Sequence, residues 1–210
     1  MSVRLFVVRH GQTVMNQEKR SQGWLDSPLT ERGKVEALIV RDWLKDRHLQ
    51  FAHGYSSDLG RARQTLGLLV QGEFPTNEEA GLREMTLGKM DGVQGFVLDP
   101  AKWNQQAKEY GGESFEHAAG RAIASLYAIA RVNSGQNVLV VTHGMIINLL
   151  METLPPIQAA WKDTDRLENG MVLELVYTCG QLWLSGVHLP VSEYLEKHNL
   201  EEEKQKIGKF

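Results

Sequence analysis

The chain has one cysteine, Cys179, in 210 residues, so no internal disulfide can form and a zinc site built from several thiolates is excluded. Proline is scarce, at six residues, and the twenty glycines follow no period, which removes collagen-like and proline-rich disordered classes. No apolar run approaches the ~20 residues that a bilayer-spanning helix needs. Neither sign of charge dominates. The 23 Lys plus Arg stand against 26 Asp plus Glu, a net charge of −3, which leaves room for a local basic pocket but not for a general nucleic-acid-binding surface. Met1-Ser2-Val3-Arg4-Leu5 leads straight into a strand-like run, with no leader-type apolar segment or small-residue cleavage site. We expect a soluble, cytoplasmic protein with no membrane or nucleic-acid partner. What remains is an ordinary globular composition, 42% hydrophobic and 23% charged. The length suits one domain and is enough to bury about 70% of the unfolded surface without staples.

Val3 to Val8 is a short, largely β-branched run broken only by Arg4, the pattern of a strand buried on both faces of a parallel sheet. Val138 to Thr142 is a second run of that kind, and a shorter strand is expected over Ala52 to Tyr55. Helices are predicted by the 3.6-residue period. Thr30 caps the first, with Val35, Leu38, Ile39 and Trp43 on its inner face. A second begins near Asp58, with Leu59, Ala62, Leu66, Leu69 and Val70 as its stripe. Ser114 caps a third, facing inward through Phe115, Ala119, Ala122, Ile123, Leu126 and Ile129 or Ala130. A fourth, Met145 to Thr153, stops before Pro155-Pro156. Met171 to Tyr177 and Gln181 to Val187 pair as a hairpin across Thr178-Cys179-Gly180.

This alternation implies an α/β three-layer sandwich: a mostly parallel central sheet, helices on both faces and a C-terminal antiparallel edge hairpin. One domain is expected over residues 1–190, followed by a charged, solvated tail over 191–210, helical and frayed. Gly88 to Gly112 has weak periodicity and holds Gly92, Gly95 and Pro100, so it is the candidate for a long loop or lid. Its Met90, Phe96, Val97, Leu98 and Trp103 either line a substrate or belong to the core.

Both buried runs end in the same dipeptide, His10-Gly11 and His143-Gly144. Open α/β sheets bind ligands outside the carboxyl ends of their strands, so neighbouring strands would bring these two imidazoles into one crevice. Arg9 precedes His10, and Ser56-Ser57-Asp58-Leu59-Gly60-Arg61 brings another guanidinium to the start of a helix. Guanidinium forks suit phosphate oxygens, and helix N-termini offer N–H groups to the same anion. The set describes a phosphate pocket. It does not describe a metal site, because no carboxylate falls at metal-like spacing from either histidine. Taken singly, each piece has an ordinary reading: Arg9 a surface cation, Arg61 and Arg63 members of an exposed helical face, Glu84 a solvated carboxylate. His48, His53, His117, His188 and His198 keep that ordinary reading. Joint context distinguishes His10 and His143.

That context resembles a known family. Leu5 to Thr13, with its Arg9-His10-Gly11 core, is similar to the signature of the histidine phosphatase superfamily, also called phosphoglycerate mutase-like. The resemblance continues through Asn16, Gln22-Gly23 and Asp26-Ser27-Pro28-Leu29-Thr30-Glu31-Arg32-Gly33. It recurs at Ser57 to Thr65, at Leu82-Arg83-Glu84-Met85 with Gly88, and at Val140 to Gly144, so it covers most of positions 3 to 187 in order. The resemblance implies that His10 is a nucleophile forming a phosphohistidine, a covalent step that splits one hard displacement into two easier ones. Its attacking nitrogen must be unprotonated, so the other ring nitrogen should donate to a fixed acceptor such as a backbone carbonyl. It implies that Arg9, Arg61 and His143 stabilise the transferred phosphoryl oxygens electrostatically. Glu84 matches the general acid that protonates the leaving alkoxide and then activates water. Asn16, Gln22, Gly23 and the Gly144 amide match supporting phosphate contacts. No metal and no other cofactor is implied.

Within the resemblance the open choice is phosphatase or mutase. Phosphoglycerate mutases of this family carry a long insertion after the general acid, with paired arginines and a lysine for the substrate carboxylate. Here Gly88 to Gly112 offers Lys89, Lys102 and Lys108 and no Arg-Arg pair. Met145 stands where mutases usually have Asn after His-Gly, while Gly111-Gly112-Glu113-Ser114 and Arg121 resemble the shorter phosphatase branch. These departures favour a metal-independent phosphatase acting on a small phosphorylated metabolite. The alternatives are a mutase dependent on 2,3-bisphosphoglycerate and a silent module that only binds a phospho-ligand.

Overall fold

A computed structural model describes residues 2–96, 98–157 and 167–199. Its centre is a six-stranded sheet in the order β3-β2-β4-β1-β5-β6, formed by Val3–Arg9 (β1), His53–Ser56 (β2), Thr76–Glu78 (β3), Asn137–Thr142 (β4), Val172–Thr178 (β5) and Gln181–His188 (β6). The first four run parallel, and β5 and β6 close the other edge antiparallel. The hairpin turns through Cys179 (φ 51°) and Gly180 (φ 80°), two positive-φ residues whose twist matches that of the strands they join.

Two-sided burial explains the runs read from sequence. Alternate residues of β1 point to opposite faces. Val3, Leu5 and Val7 enter one core cluster, Phe6 and Val8 the other. In β4, Val138 and Val140 join the first cluster, Leu139 and Val141 the second. Trp103–Tyr110 (α4), Phe115–Val132 (α5) and Gly144–Thr153 (α6) cover the first face. Glu31–Asp46 (α2), Gly60–Val70 (α3) and Pro190–Lys197 (α7) cover the second, while the four-residue Val14–Gln17 (α1) follows β1. The result is the three-layer α/β sandwich, with helices on both faces and the antiparallel hairpin at one edge.

Several local expectations need correction. The inner face of α2 is not Val35, which is 54% exposed, but Gly33, Glu36, Ala37, Val40, Trp43 and Leu44. Polar contacts to the loop after β1 set this rotation: Glu36 Oε2 accepts from Gln12 N at 2.8 Å, and Thr30 N donates to Gln12 O at 2.9 Å. Gly11 and Gly33 permit the approach, since a Cβ on Gly11 would lie 2.2 Å from Gly33 O and one on Gly33 2.0 Å from Gln12 O. Strand β2 starts at His53 rather than Ala52, and the edge strand β3 and helices α1 and α4 were not legible in the sequence pattern.

In the Gly88 to Gly112 stretch, Trp103 is fully buried core, its indole N–H donating to Glu113 O at 2.9 Å. Met90, Phe96 and Leu98 pack half-buried against the same cluster, and Val97 lies outside the described residues. Packing also continues past Pro190. Helix α7 buries Val191 and Leu195 in the second core and Ser192 beside Glu168, so these residues are not part of a solvated tail. Residues 200–210 lie outside the described residues.

Candidate active site

Adjacent parallel strands β1 and β4 run in register, Arg9 opposite Thr142, and His10 N donates to Thr142 O at 3.0 Å. Both therefore end at the same level, and the imidazoles that follow them meet: His10 and His143 have ring centroids 5.1 Å apart at 61°. Arg61, from the first turn of α3, reaches between them with Nε 3.3 Å from His10 Nε2 and 3.1 Å from His143 Nδ1. Arg61 and His143 are wholly inaccessible, and His10 and Arg9 are buried.

Each ring has a defined partner on its far side. His10 Nδ1 lies 2.8 Å from Gly11 O, a carbonyl that can only accept, so the proton sits on Nδ1 and the lone pair on Nε2. His143 Nε2 is 2.6 Å from Ser57 Oγ, and its Nδ1 faces the donating Arg61 Nε, which puts its proton on Nε2. Burial holds both imidazoles well below the ordinary histidine value, with Arg61 adding repulsion to each; for His10, Arg9 repels further and the Gly11 carbonyl partly offsets it. Both rings are neutral at pH 7. The Arg9 and Arg61 guanidiniums are pulled down from their usual value by the same desolvation, opposed by the charge of Glu84, yet arginine stays cationic.

Glu84, half-buried, presents its carboxylate to the start of α6: Oε2 accepts from Met145 N at 3.2 Å and Oε1 from Met85 N at 2.9 Å. Gly144 lies against Arg9, where a Cβ would be 3.1 Å from its Nε. That Arg9 Nε is buried without a hydrogen-bond partner, as is Gln22 Oε1, while Arg9 Nη1 donates to Leu167 O. A buried orphan donor on a cation, beside two neutral imidazoles and a helix N-terminus, is an environment that favours an anion.

The remaining expected residues fall as follows. Gly23 O accepts from Arg61 Nη2 at 2.8 Å, so it touches the pocket through its carbonyl. Asn16 Oδ1 is engaged in a capping box, accepting from Thr13 N at 3.1 Å and Thr13 Oγ1 at 3.0 Å, which leaves only its Nδ2 for an anion. Arg61 differs from the phosphate fork expected of it, because Nη1 and Nη2 are taken by Leu25 O and Gly23 O, each at 2.8 Å. Its Nε and its charge are what face the histidines.

Supporting residues stood in the quoted motif blocks without a role, as Asp26, Thr65, Glu113 and Arg121 did, or were not singled out at all, as with Asn169. Asp26 caps α3 from outside, its carboxylate accepting from Gly60 N and, at 3.2 Å, from Arg61 N, because Leu59 has no capping side chain. Thr65 Oγ1 bridges Gly11 N and Arg61 O. Asn169 Nδ2 donates to His10 O at 2.8 Å. Arg121 donates to the carbonyls of Gly81, Arg83 and Glu84 and pairs with Glu113, fixing the Glu84 loop. Their place in those blocks, and the polar type of Thr65 and Ser57 at buried helical or strand-end positions, were the available signals. Among the described residues no group of three or more His, Cys, Asp or Glu is placed to hold a metal ion, and no helix is long and apolar enough to cross a membrane.

The family model of the histidine phosphatase superfamily (branch 1) matches residues 5–188. The chain belongs to that superfamily. A probable phosphoglycerate mutase, GpmB, of Salmonella paratyphi A is 29% identical over 194 residues, covering 88% of this chain and 89% of the relative. Among solved structures, a phosphoglycerate mutase from Bacillus anthracis is 29% identical with a TM-score of 0.75, over 88% of this chain and 92% of that one. A mycobacterial glucosyl-3-phosphoglycerate phosphatase is 26% identical with a TM-score of 0.64, over 87% and 96%. Phosphatases and mutases both stand among the relatives of this histidine phosphatase superfamily member.

Proposed function

We propose that the protein is a phosphomonoesterase that works through a phosphohistidine on His10. The observation that carries this is the His10 Nδ1 contact to Gly11 O at 2.8 Å, which leaves Nε2 as the lone-pair nitrogen inside a pocket of buried arginines. His10 Nε2 attacks phosphorus, and the leaving oxygen takes a proton from Glu84. Water, deprotonated by Glu84, then attacks the phosphorus and releases phosphate, returning Nε2 to its lone pair. Arg9 and Arg61 hold positive charge where phosphoryl oxygens develop, Arg9 Nε is the buried donor left without a partner, and the neutral His143 borders the same pocket, a water-poor site where such terms are largest. Gln22, Gly23, Gly144 and the Nδ2 of Asn16 would make the supporting contacts.

The chemistry needs neither metal nor organic cofactor, and the partner is a small phosphorylated metabolite. Hydrolysis rather than isomerisation is supported by the absence of an Arg-Arg pair between Gly88 and Gly112 and by Met145 after His143-Gly144. A mutase requiring 2,3-bisphosphoglycerate is the second reading, favoured by the mutases among the relatives. Retention of both His10 and Glu84 speaks against a silent binding module.

The test is turnover of p-nitrophenyl phosphate and 3-phosphoglycerate in EDTA, with and without 2,3-bisphosphoglycerate, with His10→Ala as control. Phosphate release from the aryl ester, lost in the variant and without isomerisation, is expected. Isomerisation dependent on 2,3-bisphosphoglycerate would make the protein a mutase.

A further inference from the structure

Trp24 is 41% exposed, yet its ring is held by a hydrogen bond and by a guanidinium stacked over it. Its indole N–H donates to the backbone carbonyl of Glu84 at 2.7 Å, and its own backbone N–H donates to Asp91 Oδ2 at 3.1 Å. The carbonyls on either side of it, Gly23 O and Leu25 O, are the two groups that take the Arg61 fork. Arg83 lies over the indole at 4.9 Å from the ring centroid and is itself fixed by Asp58, donating through Nε at 2.7 Å and through Nη2. A large apolar ring left in water, held at its indole N–H and under a guanidinium on a backbone that is itself tied down on both sides, forfeits both burial and freedom, a cost that makes sense where a ligand covers it.

The position of Trp24 defines which part of a ligand that is. Arg61, which holds the carbonyls of Gly23 and Leu25 on either side of it, faces the two histidines, so the Trp24 segment is at the edge of the phosphoryl pocket. Glu84, which anchors its indole, is the proposed donor to the leaving oxygen, so Trp24 is on the leaving-group side. Leu25, 46% exposed, continues the apolar surface next to it.

We propose that Trp24 is a specificity-determining residue for the leaving group, and that the preferred substrates are phosphate monoesters whose alcohol carries an aromatic ring that stacks on the indole. The proposal rests on the phosphomonoesterase reading. Stacking on an aromatic platform contributes roughly a three- to tenfold preference, and the Arg83 guanidinium on one side of the indole keeps the ring from turning away.

The test compares 2-phenylethyl phosphate with ethyl phosphate, which leave as similar alkoxides and differ in the ring. Wild type, Trp24→Phe and Trp24→Ala are measured for kcat/KM, and the corresponding non-hydrolysable phosphonates are measured for binding by calorimetry. The wild type is expected to prefer the phenylethyl compound, Trp24→Phe to keep most of that preference, and Trp24→Ala to lose it. Loss of the indole bond to Glu84 would slow both esters alike in both variants, so only the ratio between the two ligands reports stacking. An equal fall for both ligands in Trp24→Ala, or no preference in the wild type, overturns the proposal. Should neither ester turn over while the phosphonates still separate by the ring in wild type and not in Trp24→Ala, the phosphatase reading fails and the aromatic subsite stands.

Discussion

Arg61 points its Nε hydrogen at Nε2 of His10 from 3.3 Å, the ring nitrogen that the proposed reaction uses. A buried guanidinium this close keeps the imidazole neutral by charge repulsion, on top of the desolvation that already disfavours imidazolium. The same hydrogen is shared with His143 Nδ1 at 3.1 Å, so the two histidines and the arginine form one electrostatic unit.

In NMR titrations of ring-labelled protein, His10 and His143 should remain neutral well below pH 6.5, because both are held well below the ordinary value. A midpoint at or above 6.5 for His10 would remove the basis for a lone pair on its Nε2 at acidic pH, and one at or above 6.5 for His143 would overturn the neutral state assigned to that ring.

Stability should share this dependence. A histidine whose folded pKa lies below its unfolded value takes up a proton on unfolding, so stability is lost as pH falls through and below about 6.5. Each such ring contributes a slope of about 1.4 kcal/mol per pH unit until its folded value is reached. Urea unfolding of wild type and His143→Gln between pH 7.5 and 5.5 should show a shallower slope in the variant. Raised-pKa Glu36 works in the opposite sense, losing stability as pH rises, and cancels in this comparison.

Glu84→Gln keeps the hydrogen-bonding shape but cannot donate and accept a proton in turn. We expect alkyl phosphates to lose far more rate than aryl phosphates, because an aryl oxide leaves with little protonation. Steady-state kinetics on both classes is the check, and an equal fractional loss would withdraw Glu84 as the acid.

Ser57→Ala should leave the buried His143 Nε2–H without its acceptor at 2.6 Å. An unsatisfied buried donor costs about 1–3 kcal/mol, and thermal unfolding should show a loss of that size together with reduced turnover. An unchanged melting temperature would mean that His143 finds another partner.

Arg121→Met leaves Glu113 buried without its bidentate partner and frees the carbonyls of Gly81, Arg83 and Glu84. Breaking a largely buried pair costs about 3 kcal/mol, and Arg121→Met with Glu113→Leu should recover much of that. Recovery of stability without recovery of turnover would separate the structural role of the pair from its hold on the Glu84 loop.

The paired strands were readable because burial on both faces leaves a compositional mark: β1 and β4 are nearly continuous apolar runs. Ser114 and Thr30 were readable as caps because the capping bond spans three residues and is local. The rotation of α2 was not, since it depends on Glu36 meeting Gln12, a contact between separate elements that turns Val35 outward.

The arrangement at the site divides along the same line. Residue types at strand ends, His10 and His143 with Arg9 and Arg61, were determined by the sequence alone, because chain order places them at the end of a strand, one step beyond it or at a helix start. Which nitrogen of each ring is free was decided by tertiary structure, through Gly11 O and Ser57 Oγ. So were the cap that Asp26 supplies to α3 across 34 residues and the bond from Asn169 to His10 across 159. Local periodicity carries information only over a turn or a pleat, whereas a hydrogen bond between distant segments leaves no spacing to read and exists only once the packed layers bring its two ends together.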